Sequence, residues 1–123
     1  IPTIIRLGGD GVAAGEDGHD ATLHEPTLSG HILIASAGKA SRAVAQTTRG
    51  GSAQCLGAAE NLLIALGGHG GTPWNPPTMP YGANGTDGGD GGSALAVCLG
   101  AGCVVEAQGG GGGASGCRRA QSL

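Results

Sequence analysis

The sequence predicts a small glycine-rich α+β or mostly β domain, with one helix near 53–66, a β-hairpin near 94–107 and long irregular loops. Three observations predict it. Glycine accounts for 28 of the 123 residues, about three times ordinary usage. The apolar residues fall in short runs between glycines and prolines, which is typical of strands. Aromatic residues are only 2% of the chain, so a single thin core over 1–123 must consist of aliphatic side chains.

The hairpin is predicted from the longest apolar run, residues 93–108. Its halves, 94–98 and 103–107, flank a loop with two glycines, each of which would cost about 1 kcal/mol inside a helix. Cys98 and Cys103 would lie on either side of the loop, where they can bridge each other or pair with distant cysteines. The run is too interrupted to span a bilayer, which needs about 20 apolar residues.

The helix over 53–66 is predicted from its end signals and its spacing. Ser52 is a suitable N-cap and Gly67 a suitable residue after the C-terminus. Four apolar residues recur at helical spacing, namely Leu56, Ala59, Leu63 and Leu66. Gly57 weakens the pattern, and we expect Leu63 to be a core residue.

The remaining segments divide into strands and loops. An edge strand is predicted over 1–7 and a strand over 31–35. Residues 39–48 fit either a short helix or a further strand. Residues 8–25 and 67–93 are expected to be glycine-rich loops, and 109–116 a linker to the C-terminal tail.

Glycine recurs at every third position from 82 to 91. Such a period is that of a polyproline-II helix. A short polyproline-II segment and a simple glycine-rich loop both remain open for this stretch.

The cysteines indicate an exported protein. Four cysteines in a chain with a thin core predict two disulfides among Cys55, Cys98, Cys103 and Cys117. Free thiols in a reducing compartment are the alternative. The chain begins at Ile1, as a processed product or a fragment does. An N-glycosylation sequon at 84–86 fits an extracellular glycoprotein.

Charge argues against several functions. The net charge is −3 and only 12% of residues are charged, which does not favour nucleic-acid binding. Low charge with 39% hydrophobic residues also differs from the composition of disordered chains.

The acidic loop holds the weak candidates for a metal site. These are Asp10, Asp17, His19, Asp20 and His24. Carboxylates suit Ca²⁺, but their spacing is not that of an EF-hand. The histidines lack the spacing of common zinc sites. We expect a solvated loop without a cofactor, with Ca²⁺ as the weaker alternative.

Two short resemblances concern residues 82–93. The segment Gly89-Asp90-Gly91-Gly92-Ser93, followed by Cys98, resembles the GDSGG segment of trypsin-like serine proteases, in the GDGGS form of their inactive homologues. Gly91 matches the position of the nucleophile, so this resemblance implies an inactive relative. The period-three glycines are similar to the polyproline-II bundles of springtail antifreeze proteins and some phage adhesins, which implies ice binding or receptor adhesion.

Taken together, these features favour a non-enzymatic extracellular structural or binding module that presents glycine-rich loops to a protein or other surface ligand. The predicted contact residues are Trp74, Tyr81, Asn84, Thr86, Asp87 and Asp90. The two aromatic residues are the large anchors among them. The alternatives are a fragment of an inactive trypsin-like or metal-assisted hydrolase, and a small subunit of an oligomer or larger assembly.

Overall fold

A computed structural model describes residues 1–42, 47–73 and 88–113. These residues form seven strands of five residues each: β1 Thr3–Leu7, β2 Ala21–Glu25, β3 Ile32–Ser36, β4 Ala53–Gly57, β5 Leu62–Leu66, β6 Ala94–Cys98 and β7 Val104–Gln108. The odd-numbered strands form a four-stranded sheet, β1-β3-β5-β7, and the even-numbered strands a three-stranded sheet, β2-β4-β6. All neighbouring strands are parallel. The chain therefore winds in stacked coils. The first three coils, β1–β2, β3–β4 and β5–β6, each contribute one strand to each sheet, and β7 belongs to the fourth.

The predicted helix over 53–66 is wrong. Residues 53–57 and 62–66 are β4 and β5, which belong to different sheets. Between them Glu60 has a φ of 62°, which is incompatible with a continuing right-handed helix. The buried Asn61 secures this turn, because its side chain accepts a hydrogen bond from His31 N (2.8 Å) and donates one to Leu28 O (2.7 Å).

The predicted hairpin over 94–107 is also wrong, although both halves are strands. β6 pairs with β4 and β7 pairs with β5, so residues 99–103 cross from one sheet to the other. The expected α+β domain is therefore replaced by an all-strand fold with two parallel sheets, without a helix in the described residues. Long-range parallel pairing supplies the backbone hydrogen bonds that a local hairpin would have made.

The core lies between the two sheets and is built from small aliphatic residues. Successive side chains point to opposite faces of a strand, so every second residue enters the core. The buried hydrophobic residues are Ala21, Leu23, Leu33, Ala35, Ala53, Cys55, Leu63 and Ala65. Leu63 is fully buried, as predicted, and lies directly beside Leu33 in the register of β3 and β5.

Beyond the carboxyl ends of the four-stranded sheet, the chain enters what we call the glycine layer. It consists of outgoing segments 8–11, 37–41, 67–71 and 109–113, and of segments 16–20, 48–52 and 89–93 that return to the three-stranded sheet. Outgoing and returning segments alternate in one series of hydrogen bonds: Gly38 N to His19 O (3.0 Å), Gly51 N to Gly38 O (2.9 Å), Gly68 N to Gly51 O (2.8 Å), Gly92 N to Gly68 O (2.8 Å) and Gly110 N to Gly92 O (2.9 Å). The two sheets thus merge into one hydrogen-bonded body.

Residues three apart in this layer bond the same neighbouring segment. Gly89 N donates to Gly71 O (2.9 Å) and Gly92 N donates to Gly68 O (2.8 Å). This three-residue repeat is that of a threefold polyproline-II-type helix. The segments approach so closely that a Cβ atom on Gly68 would overlap the carbonyl oxygen of Gly38. Of the predicted loop 8–25, residues 21–25 are instead strand β2. The remaining glycine segments of the predicted loops that lie in this layer are packed against one another.

Candidate functional site

Most of the predicted contact residues lie outside the described residues. These are Trp74, Tyr81, Asn84, Thr86 and Asp87. Asp90 lies in the glycine layer with its side chain exposed, and its carbonyl oxygen accepts a hydrogen bond from Gly50 N (3.0 Å). A partner surface built on these residues stays a prediction.

The acidic side chains of residues 8–25 join the first coil to the second. Three carboxylates each accept a hydrogen bond from a backbone N–H of the next coil: Asp10 from Lys39 N (3.0 Å), Asp17 from Arg49 N (2.8 Å) and Asp20 from Ser52 N (2.8 Å). Each of the three carboxylates is therefore already bonded to the backbone of the second coil.

The histidines of the same loop lie apart from each other. His19 Nε2 lies 3.6 Å from Glu16 Oε1, while His24 is exposed on the outer side of β2. Within the described ranges, no group of three or more His, Cys, Asp or Glu side chains could hold a metal ion. The Ca²⁺ alternative stays a prediction.

One pair of cysteines lies at disulfide distance. Cys98, at the end of β6, pairs with Cys103, the residue before β7. This pair is compatible with a disulfide bond and with an extracellular location.

Cys55 is instead a free buried thiol on β4 that donates a hydrogen bond to Leu33 O (3.3 Å), and burial raises its pKa. Cys117 lies outside the described residues.

The side of the four-stranded sheet that faces away from the core is mostly apolar, and we call it the outer face. Its apolar side chains are Ile5, Leu7, Ile32, Ile34, Leu62, Ile64, Leu66 and Val104. Ile5 is 56% exposed and Leu7 is 71% exposed. The sequence signal for this face is a strand that is apolar on both sides, which is typical of parallel sheets covered on both faces. The helical spacing of some of the same residues favoured a helix instead and so hid this signal.

A second surface feature is an open cavity of about 730 Å³ on the glycine layer, which we call the basic cavity. Lys39, Arg42, His69 and Thr72 line it together with small residues. A neighbouring cavity of about 280 Å³ shares Lys39 and His69 and adds Asp10. Sequence reasoning missed this site, because it joins residues of two coils that are 30 positions apart in the chain.

Comparison with protein-family models, curated proteins and solved structures finds no match for this chain. The resemblance to trypsin-like proteases therefore rests on residues 89–98, and that to polyproline-II bundles rests on residues 82–93. The described residues contain no helix long and apolar enough to cross a membrane, in agreement with the prediction from the sequence.

Proposed function

We propose that the protein is a non-enzymatic extracellular structural or binding module. The observation that carries the proposal is the glycine layer, in which outgoing and returning segments bond to each other between every two neighbouring coils. Because the layer is continuous with both sheets, it holds exposed side chains at fixed spacings on one stiff body. Such a body presents a surface to a partner with little loss of conformational entropy on binding.

Compatibility of the Cys98–Cys103 pair with a disulfide supports the extracellular part of this proposal. Disulfides persist in oxidising compartments and are rare in the cytosol. A small domain with an alanine-rich core also gains most from such a bridge, since its apolar burial is limited.

Limited proteolysis tests whether the glycine layer is stiff. We expect trypsin to cleave after Lys39 and Arg49 roughly 100-fold more slowly than in the unfolded chain, because cleavage requires local opening of the bonded segments. Mass spectrometry of timed samples gives the rate at each site, with urea-unfolded protein as the reference. Cleavage at the unfolded rate after either residue would contradict a stiff module.

A second candidate function is that of a subunit that associates with another copy of this chain through the outer face. The face is apolar on β1, β3 and β5 apart from Thr3 and Ser36. The edge strand β7 adds Val104 beside Gln108 and Glu106, which is the only charged side chain among the described residues of this face. Sheets pack face to face at about 10 Å when both surfaces are apolar. A net charge of only −3 opposes such association weakly.

The size of the outer face sets the expected strength of this association. Four strands of five residues cover roughly 16 Å by 19 Å, or about 300 Å² per copy. A stable interface usually buries about 800 Å² per partner. We therefore expect a weak dimer that forms only at high protein concentration.

Analytical ultracentrifugation over a concentration series tests the second candidate. We expect the average mass of the wild type to rise towards that of a dimer at about 1 mM, a concentration typical of weak association. The I5E variant should stay monomeric, since it buries a charge in the apolar contact. Q54E adds the same charge on the opposite sheet and should behave like the wild type. A wild type that stays monomeric throughout, or I5E that dimerises equally, would exclude this interface.

A further inference from the structure

The basic cavity lies at the end of the glycine layer between two adjacent segments, 39–42 and 69–72, and its lining also includes Gly11 and Val12 of the first coil. Ala40 N donates to His69 O (2.9 Å), which holds the segments side by side. Because residues three apart share a side of a threefold helix, Lys39 and Arg42 face the cavity together. With a rise of about 3.1 Å per residue, their Cα atoms are roughly 9 Å apart. The volume of about 730 Å³ is within the usual range for small-ligand sites.

The lining of the cavity is positively charged in a chain whose net charge is −3. Lys39, Arg42 and His69 are exposed lining residues, and none of the described lining residues is a carboxylate. Among the described residues, neither Lys39 nor Arg42 forms a salt bridge. Two carboxylates lie at the margin of the cavity. Asp10 lines the adjoining smaller cavity and accepts a hydrogen bond from Lys39 N (3.0 Å), and Glu16 Oε1 accepts one from the lining residue Val12 N (2.8 Å).

His69 adds an oriented donor to these two charges. Its Nδ1 accepts a hydrogen bond from Gly111 N (3.0 Å). In the neutral ring this bond assigns the proton to Nε2, because one nitrogen donates when the other accepts. Gly111, on the fourth coil, thus fixes the tautomer of His69, whose side chain lines the basic cavity.

We propose that the basic cavity binds the phosphate group of a phosphate ester or a pyrophosphate. Arginine offers a planar fork of N–H donors that matches phosphate oxygens, and lysine contributes a compact positive charge. The Nε2–H of His69 supplies a further donor, so three side chains can satisfy the several oxygens of one tetrahedral anion. The proposal deepens the proposed binding module by naming the chemical class of its ligand.

Calorimetric titration with sodium pyrophosphate at low ionic strength, where screening is weak, tests this proposal. We expect saturable binding to the wild type, and affinity weaker by at least about tenfold in K39Q/R42Q, since two charge-assisted contacts are lost. R6Q removes one charge outside the cavity and should bind as the wild type does. The single variants K39Q and R42Q replace the double variant if its thermal unfolding shows that it has not folded.

A vesicle arm separates the two sources of a phosphate group. Binding to vesicles of phosphatidic acid in phosphatidylcholine, competed by pyrophosphate and weakened in K39Q/R42Q, would assign the site to a lipid headgroup. Pyrophosphate binding without vesicle binding would assign it to a soluble phosphate compound. Absence of saturable binding to both probes, or equal weakening in R6Q, would overturn the proposal. Proteolysis tests the stiff module separately, so the two proposals can fail independently.

Discussion

Replacement of Gly68 by alanine is expected to destabilise the protein by about 4 kcal/mol or more, a loss that is exceptional for one methyl group. The added Cβ would overlap the carbonyl oxygen of Gly38, which is backbone and already accepts a hydrogen bond from Gly51 N (2.9 Å). The neighbouring segments must separate to admit the methyl group, and the bonds between three coils are lost together. Thermal unfolding followed by circular dichroism should show a Tm lower by on the order of 15 °C.

Gly109 provides the matched control for this substitution. Its Cβ would lie 3.5 Å from Gly92 O, at ordinary van der Waals distance. G109A should therefore change the free energy of unfolding by no more than about 0.5 kcal/mol. Equal destabilisation by G68A and G109A would show that close packing of the glycine layer does not hold the fold together.

Truncation of Leu63 to alanine is expected to cost about 2–5 kcal/mol of unfolding free energy. Leu63 has no exposed surface and is one of the few large side chains in a core that is otherwise mostly alanine. Small neighbours cannot extend into the space left by the isobutyl group, so most of the cavity would persist. Urea unfolding should show a lower midpoint with an unchanged slope, since the surface exposed on unfolding stays the same.

Leu95 is the control for this truncation, because it lies on the outer side of β6 and is 49% exposed. L95A removes the same atoms but leaves no enclosed cavity, so we expect a loss below about 1 kcal/mol. A cost at L95A as large as that at L63A would place the main packing contacts outside the space between the sheets.

Local sequence patterns predicted several strands well and their partners poorly. Residues 94–98 and 104–108 are strands because they are short, apolar and bounded by glycine, as the sequence indicates. Their assignment to a hairpin failed, because proximity in the chain favours a two-strand turn. The actual partners, β4 and β5, lie about 40 residues upstream.

The helix at 53–66 failed for a different reason. Leu56, Leu63 and Leu66 do recur at helical spacing, but short apolar runs carry both periodicities at once. What separates the two strands is the turn at Glu60 and Asn61, whose side-chain amide binds backbone groups of the connection before β3. A contact with residues 30 positions away cannot be found from a local window.

The sequence by itself determined the composition of the core, the burial of Leu63, the presence of strands near 3–7, 32–36 and 94–108, and a cysteine pair close enough in the chain to bridge. These properties depend on local hydrophobicity and spacing. The tertiary structure alone decided the parallel pairing, the interlocked glycine layer and the meeting of Lys39, Arg42 and His69 around one cavity. Those features arise only when successive coils stack, because the absence of side chains at residues such as Gly68 lets distant backbone segments bond directly to one another.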